Sequence, residues 1–395
     1  MAGRKVYRTK NGKRKQNTAK AFHAILIILL LAVLVYLGYI LAGPLFRFLN
    51  QSTEITPQGW TPPVVSDSFT APSVTKLQDN TDTQTGGTVL EPVENKALTG
   101  YAIPVSALSS KETLAGFAAD AQNSGFTAVV VPLKLKGGEV TYLTQAEMAI
   151  SANIVTGTMT AKEIADTITE AGLTPICTIN LLEDNTSFTG YRGVYKFASD
   201  NSRWYDNNPA NGGKSWISPF DNDAKEYLKT ISSEVSSAGF KNVIFDGLVF
   251  PPFRNSDLGY IGSIVSSPDR YKALIAIWES VSAAVTDNGA TPMLMIPAET
   301  AAADTAEILH PNLLEDTLTV IKYDASAFPT TIVINGNETI LAEMTAPERV
   351  RFILGLCRGK TSGMTIIPYI TGSTPEEVSE AVDTAVEMGY SSYIV

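Results

Sequence analysis

The chain has 395 residues, 44% of them hydrophobic, and a formal net charge of −10, enough apolar content for one large domain and an appendage. Nine of its 30 Lys and Arg fall in residues 1–50, where no Asp or Glu occurs, so the other 21 meet all 40 acids and the rest of the chain carries −19. That balance argues against a nucleic-acid partner, and two histidines with two cysteines leave little material for a zinc site, a His-based triad or a disulfide framework.

Residues 1–20 are a basic tail with Arg4, Lys5, Arg8, Lys10, Lys13, Arg14, Lys15 and Lys20. From Ala24 to Leu41 no charge occurs, and Gly43-Pro44 closes the run. Such a stretch spans about 27 Å as a helix, close to a hydrocarbon core. Residues 21–49 therefore read as a single membrane anchor. The positive flank keeps the N-terminus in the cytoplasm and places everything after Leu49 outside. A cleaved signal peptide is the alternative, although the run is long for one and Ile40-Leu41-Ala42 makes a poor cleavage site. Residues 50–96 are rich in Ser, Thr, Pro, Gln and Gly without hydrophobic period. They read as a tether with a reach of about 40 Å.

Beyond Leu98 apolar runs alternate with amphipathic stretches. The runs are Gly100–Val105, Thr127–Leu133, Leu173–Ile179, Val243–Phe245, Pro292–Ile296, Leu318–Tyr323, Met364–Ile370 and Ser391–Val395. Helices are signalled from Ser110 to Gly125, Thr160 to Gly172, Asp221 to Gly239, Ser267 to Gly289, around Ala301–Leu309, from Thr345 to Gly359 and from Thr374 to Gly389. Strands alternating with helices mean a parallel sheet with right-handed crossovers. The count predicts an α/β fold, a (β/α)8 TIM barrel over residues 97–395 lacking its last helix; an open doubly wound sheet is the alternative. No phosphate-binding glycine motif is present, and no cofactor or metal is expected. Cys177 and Cys357 lie in apolar contexts and read as buried thiols; His310, before Pro311, reads as a helix-end residue.

The stretch Lys241-Asn-Val-Ile-Phe-Asp246-Gly-Leu-Val-Phe-Pro251 carries the chemistry. An apolar strand ends in a carboxylate, and barrel enzymes place reactive groups at strand carboxyl ends. Glu299 and Asp324 follow the fifth and sixth runs in the same way. Cleaving a glycosidic bond takes two carboxyl groups, one protonated and one ionised. On this reading Asp246 is nucleophile or ion stabiliser, Glu299 the proton donor, and Asp324 an orienting group. Glu183, Asp184 and Asp206 in the long segment Asn180–Phe220, and Asp221 just after it, are further candidates. The competing reading makes Asp246 a turn residue, Glu299 a helix-start residue and Asp324 a cap. The same segment holds Tyr191, Tyr195, Trp204, Tyr205 and Trp216 among Asn, Asp and Gly. Flat rings beside polar groups suit sugar faces, or they simply hold the loop down. Thr331–Asn337 predicts a hairpin turning at Asn335-Gly336.

Residues 97–395 resemble a family of bacterial glycoside hydrolase-like TIM barrels that are secreted or membrane-anchored. The resemblance rests on Trp216-Ile-Ser-Pro219, a helix, and Ala238-Gly-Phe-Lys-Asn-Val-Ile-Phe-Asp246-Gly-Leu-Val-Phe-Pro251. Val129-Val-Val-Pro-Leu-Lys134 and Pro175-Ile-Cys-Thr-Ile179 through Asp184 look like its second and third strands. It implies a glycan-binding mouth to which Lys134, Asp184 and Asp246 contribute; Trp204, Tyr205, Trp216, Tyr323 and Tyr369 are the further candidates for contact with substrate. Pro132, Thr178 and Val249 stand where the family usually carries an Asp and two Arg, and Gly247 where it carries Tyr. The expectation is a cell-surface glycoside hydrolase acting on wall or extracellular polysaccharide. A barrel that binds glycan without cleaving it, or an envelope scaffold, is the alternative.

Overall fold

Eight short apolar runs become strands because a buried parallel strand needs apolar side chains on both faces, one toward the barrel axis and one toward the helices. The computed structural model describes residues 97–303, 317–360 and 365–395, apart from 187, 189 and 191. The tail, the anchor, the tether, Tyr191, His310 and most of the helix expected over 301–309 lie outside them. No described helix is long and apolar enough to cross a membrane.

The strands are β1 (Thr99–Ala102), β2 (Ala128–Lys134), β3 (Thr174–Asn180), β4 (Asn242–Asp246), β5 (Thr291–Pro297), β6 (Leu318–Asp324), β9 (Ile366–Thr371) and β10 (Tyr393–Ile394). They form a closed barrel in the order β1-β10-β9-β6-β5-β4-β3-β2, every neighbouring pair parallel. The TIM-barrel expectation is met over these residues. Between β6 and β9 lies the expected hairpin, β7 (Thr331–Ile334) against β8 (Asn337–Ile340), with Asn335 and Gly336 both at positive φ as its tight turn requires.

The helices are α1 (Lys111–Asn123), α2 (Glu147–Ser151), α3 (Ala161–Glu170), α4 (Asn222–Ser237), α5 (Asn255–Ile261), α6 (Tyr271–Thr286), α7 (Ala298–Ala302), α8 (Ala346–Lys360) and α9 (Pro375–Glu387). Their starts follow side-chain chemistry. Ser110 accepts from the Thr113 N–H at α1, and Thr160/Glu163 and Thr374/Glu377 form reciprocal capping boxes at α3 and α9. Three short helices, α2, α5 and α7, lie in connections that the hydrophobic period left as loops or as part of a longer helix.

Two apolar layers result from strand alternation. Ala128, Val130, Ile176, Ile244, Met293, Met295, Val320, Ile367 and Ile394 fill the barrel axis. Val129, Val131, Cys177, Val243, Phe245, Leu294, Ile321 and Ile370 face outward and pack with helix residues such as Leu114, Ile164, Leu228 and Ile353. Cys177 and Cys357 are buried free thiols, and burial pushes the Cys357 thiol up to about 12.

Candidate functional site

Asp246 is the last residue of β4. Ile244, two positions earlier, lies in the barrel interior, so the strand period carries the Asp246 side chain into the carboxyl-end mouth. The Gly247 N–H donates to Asp246 Oδ1 at 2.7 Å, and the Leu181 N–H donates to the Asp246 carbonyl at 2.7 Å. Gly247 has φ +67°, and a Cβ there would lie 2.6 Å from Asn180 Nδ2. The glycine thus brings the Asn180 amide directly against the turn. Burial raises the Asp246 pKa above the usual carboxylate range. The Lys322 ammonium and the Gly247 N–H act against that shift, and the Glu183 charge adds to it.

Glu183 is therefore the acid whose field bears on Asp246. It follows β3 through a side-chain turn: its N–H donates to Asn180 Oδ1 at 3.1 Å, and Asn180 Nδ2 donates to Glu183 Oε2 at 3.4 Å. Lys136 Nζ lies 2.8 Å from Glu183 Oε1. Across the mouth Lys322, inward on β6, stands over the Tyr369 ring with its ammonium 5.8 Å from the centroid. Burial and the Asp246 charge push the Tyr369 phenol upward. Asp246, Glu183, Asn180, Lys136, Lys322 and Tyr369 make one polar mouth over the apolar barrel axis.

Several expected site residues lie elsewhere or are held in turns. Glu299 is exposed in the first turn of α7, and its charge acts on Cys357 in α8, on the outer layer. Pro297 ends β5, and the helix begins at the next residue, so a side chain that strand alternation would turn inward is rotated outward. Asp324 Oδ1 accepts from the Ser326 N–H and hydroxyl at 3.0 and 2.7 Å and from the Ala327 N–H at 3.1 Å. Burial raises its pKa, but these bonds and Lys322 outweigh it and leave the group low. It is a turn residue. Tyr323 is buried outward, hydrogen-bonded by Arg349 at 3.2 Å and stacked on Phe328.

Lys134 and Asp184 do not line the mouth either. Both side chains are fully buried as an ion pair 2.8 Å apart whose angle is not that of a hydrogen bond, and Lys134 Nζ donates to the Asn180 carbonyl at 2.9 Å. A bulge between Pro132 and Lys134 puts Lys134 level with outward-facing Ile179, where it meets the Tyr227 ring of α4 at 5.7 Å. The pair pins the start of the long loop. The loop's aromatics turn on one another: the Trp204 and Tyr195 centroids are each 5.2 Å from Phe253 and 5.9 Å apart. Trp204 is fully buried, with Nε1 donating to Asp257 Oδ2 at 2.8 Å. Trp216 is 9% exposed and donates to Asp206 at 3.0 Å. Tyr205 is partly exposed, its carbonyl held by Arg254 at 3.1 Å. These rings hold down the loop. Asp221 caps α4 through the Asp223 N–H.

Residues 101–288 match a family model described as "Putative glycosyl hydrolase domain". The barrel is glycoside hydrolase-like. The family resemblance read from the sequence is borne out over that segment. Among solved structures, the PgaB (BpsB) glycoside hydrolase domain from Bordetella bronchiseptica superimposes with a TM-score of 0.53 at 12% identity, covering 76% of this chain and 93% of that one. A hypothetical protein from Ruminiclostridium thermocellum gives 0.39 at 20% identity over 50% of this chain and 96% of its own. The catalytic domain of β-amylase from Paenibacillus polymyxa gives 0.45 at 9% identity over 75% and 91%. At such identities the first of these supports the fold alone. A comparison with curated proteins finds no match.

Proposed function

We propose that this barrel is a cell-surface glycoside hydrolase acting on wall or extracellular polysaccharide. Residues 21–49 anchor it, the N-terminus is cytoplasmic, and the barrel stands outside on its tether. The observation that carries the chemistry is Asp246: a carboxyl group in the barrel mouth, raised by burial, with the charge of a second acid, Glu183, acting on it. A raised carboxyl holds its proton for the leaving oxygen, which makes Asp246 the general acid. Glu183, held by Asn180 and Lys136, is the carboxylate that takes the opposite role. This assignment replaces the pairing with Glu299.

The test incubates the full-length protein with a panel of wall and extracellular glycans and scores released reducing ends and retention together. Asp246→Asn and Glu183→Gln each lower cleavage by about 100-fold or more, while Glu299→Gln leaves it within about twofold. Cleavage that survives Asp246→Asn overturns the assignment. Retention with no cleavage by any form favours a second reading, a barrel that binds glycan without hydrolysing it. That reading draws on Pro132 and Thr178, which stand at inward register positions of β2 and β3 and bring no charge to the mouth.

A further inference from the structure

Lys322 is the feature the hydrolytic reading leaves unused. It lies inward on β6, two residues beyond Val320 of the barrel axis, and is half-buried over Tyr369. Among the described residues no carboxylate oxygen lies within 4.0 Å of its ammonium. The two acids whose charge it feels are held by other groups: Asp246 by the Gly247 N–H, and Asp324 by Ser326 and Ala327. On the neighbouring strand β9, two residues past Tyr369, Thr371 has a buried hydroxyl with no hydrogen-bond partner. An ammonium outside ion-pair distance of any described carboxylate and an unused hydroxyl therefore share the β6–β9 side of the mouth, with Asp324 nearby on β6. A partly desolvated cation wants a counter-charge, and a protein as acidic as this one offers few such places to an anion.

We propose that the mouth takes an anionic glycan, with Lys322 paired to a carboxylate or phosphate on the sugar and Thr371 hydrogen-bonding the same group. This rests on the reading of the mouth as a glycan site and names the substrate class. Tyr369 carries Lys322 over its ring, and Asp246 stands on the β4 side, where the glycosidic oxygen would lie.

The probes are methyl β-glucuronide, glucose 6-phosphate and neutral methyl β-glucoside, titrated by NMR into the full-length protein in detergent. At least one charged sugar binds about tenfold or more tightly than the neutral one, and the preference shrinks as salt rises. Which of the two binds identifies carboxylate or phosphate as the recognised group. Lys322→Gln removes the preference; Lys322→Arg keeps it and shows that the position tolerates change. Equal binding of all three sugars, binding of none, or a preference that survives Lys322→Gln overturns the proposal. Asp246→Asn separates the two ideas, since it lowers cleavage by about 100-fold or more while charged-sugar binding persists. A charge preference in a protein whose cleavage ignores Asp246 would sink the hydrolytic assignment alone.

Discussion

Removing Asp184 would orphan a charge that has almost nowhere else to go. Lys134 Nζ has two oxygen partners, Asp184 Oδ2 at 2.8 Å and the Asn180 carbonyl at 2.9 Å, plus the Tyr227 ring at 5.7 Å, and neither side chain of the pair touches solvent. Breaking a buried pair from one side costs about 3–5 kcal/mol. Asp184 also accepts from the Thr186 N–H at 3.0 Å and from the Thr186 hydroxyl, and losing an acceptor of that kind adds about 1 kcal/mol. Asp184→Ala should therefore lose about 4–6 kcal/mol, which lowers the midpoint of thermal unfolding by roughly 5–10 °C. Lys134→Met should cost about 3–5 kcal/mol by the same reasoning. The double change Lys134→Met/Asp184→Leu should cost several kcal/mol less than the two together, because no charge remains buried. Urea denaturation of the full-length protein, followed by circular dichroism, gives all three values. Single changes that cost less than about 1 kcal/mol, or a double change equal to their sum, would refute the picture of a dry, mutually dependent pair. Activity should fall with stability here, since Glu183 sits next to Asp184 in the segment this pair pins.

Other expectations follow from the same geometry. Asp246 has a raised pKa in the folded chain, so the folded state binds the extra proton and stability falls as pH climbs from the unfolded value through the folded one. Asp246→Asn should abolish that fall, so the variant melts higher than the parent at neutral pH and matches it below the ordinary carboxylate range; a melt series across pH checks this. Gly247→Ala should cost about 1–3 kcal/mol, because φ of +67° strains any side chain and the new Cβ would lie 2.6 Å from Asn180 Nδ2. Cleavage should fall further than stability in that variant, as Asn180 loses its hold on Glu183. Trp204→Phe should cost about 1–2 kcal/mol by stripping one donor from the buried Asp257. Limited proteolysis should then cut faster within residues 192–220.

The ring of strands was legible because burial on both faces leaves short apolar runs, and Asn335-Gly336 marked its hairpin by the positive φ it needs. Asp246 was legible for the same reason: a charge at the end of such a run has one place to point. What failed was phase. Lys134 has the parity of inward Val130, but a bulge reverses it, and Glu299 has the parity of Pro297, but a helix starts between them. Neither event has a hydrophobic signature. The aromatic-rich loop carried a composition that suits a sugar and a small core equally well, and ring orientation, which decides between them, depends on Phe253 far along the chain. Lys322 was readable and missed: a lysine at an inward position of an otherwise apolar strand, two residues past Val320, is a signal in itself.

The packing of Tyr195, Trp204 and Trp216 with Val265 forms a nucleus apart from the two layers of the ring. Regions with their own apolar centre open at their own free energy. The segments over the barrel should therefore exchange amide hydrogens as a separate, less protected class, loosening while the strands beneath stay closed. Such a crown can be rebuilt by substitution without putting the foundation at risk, leaving one scaffold free to change what it admits.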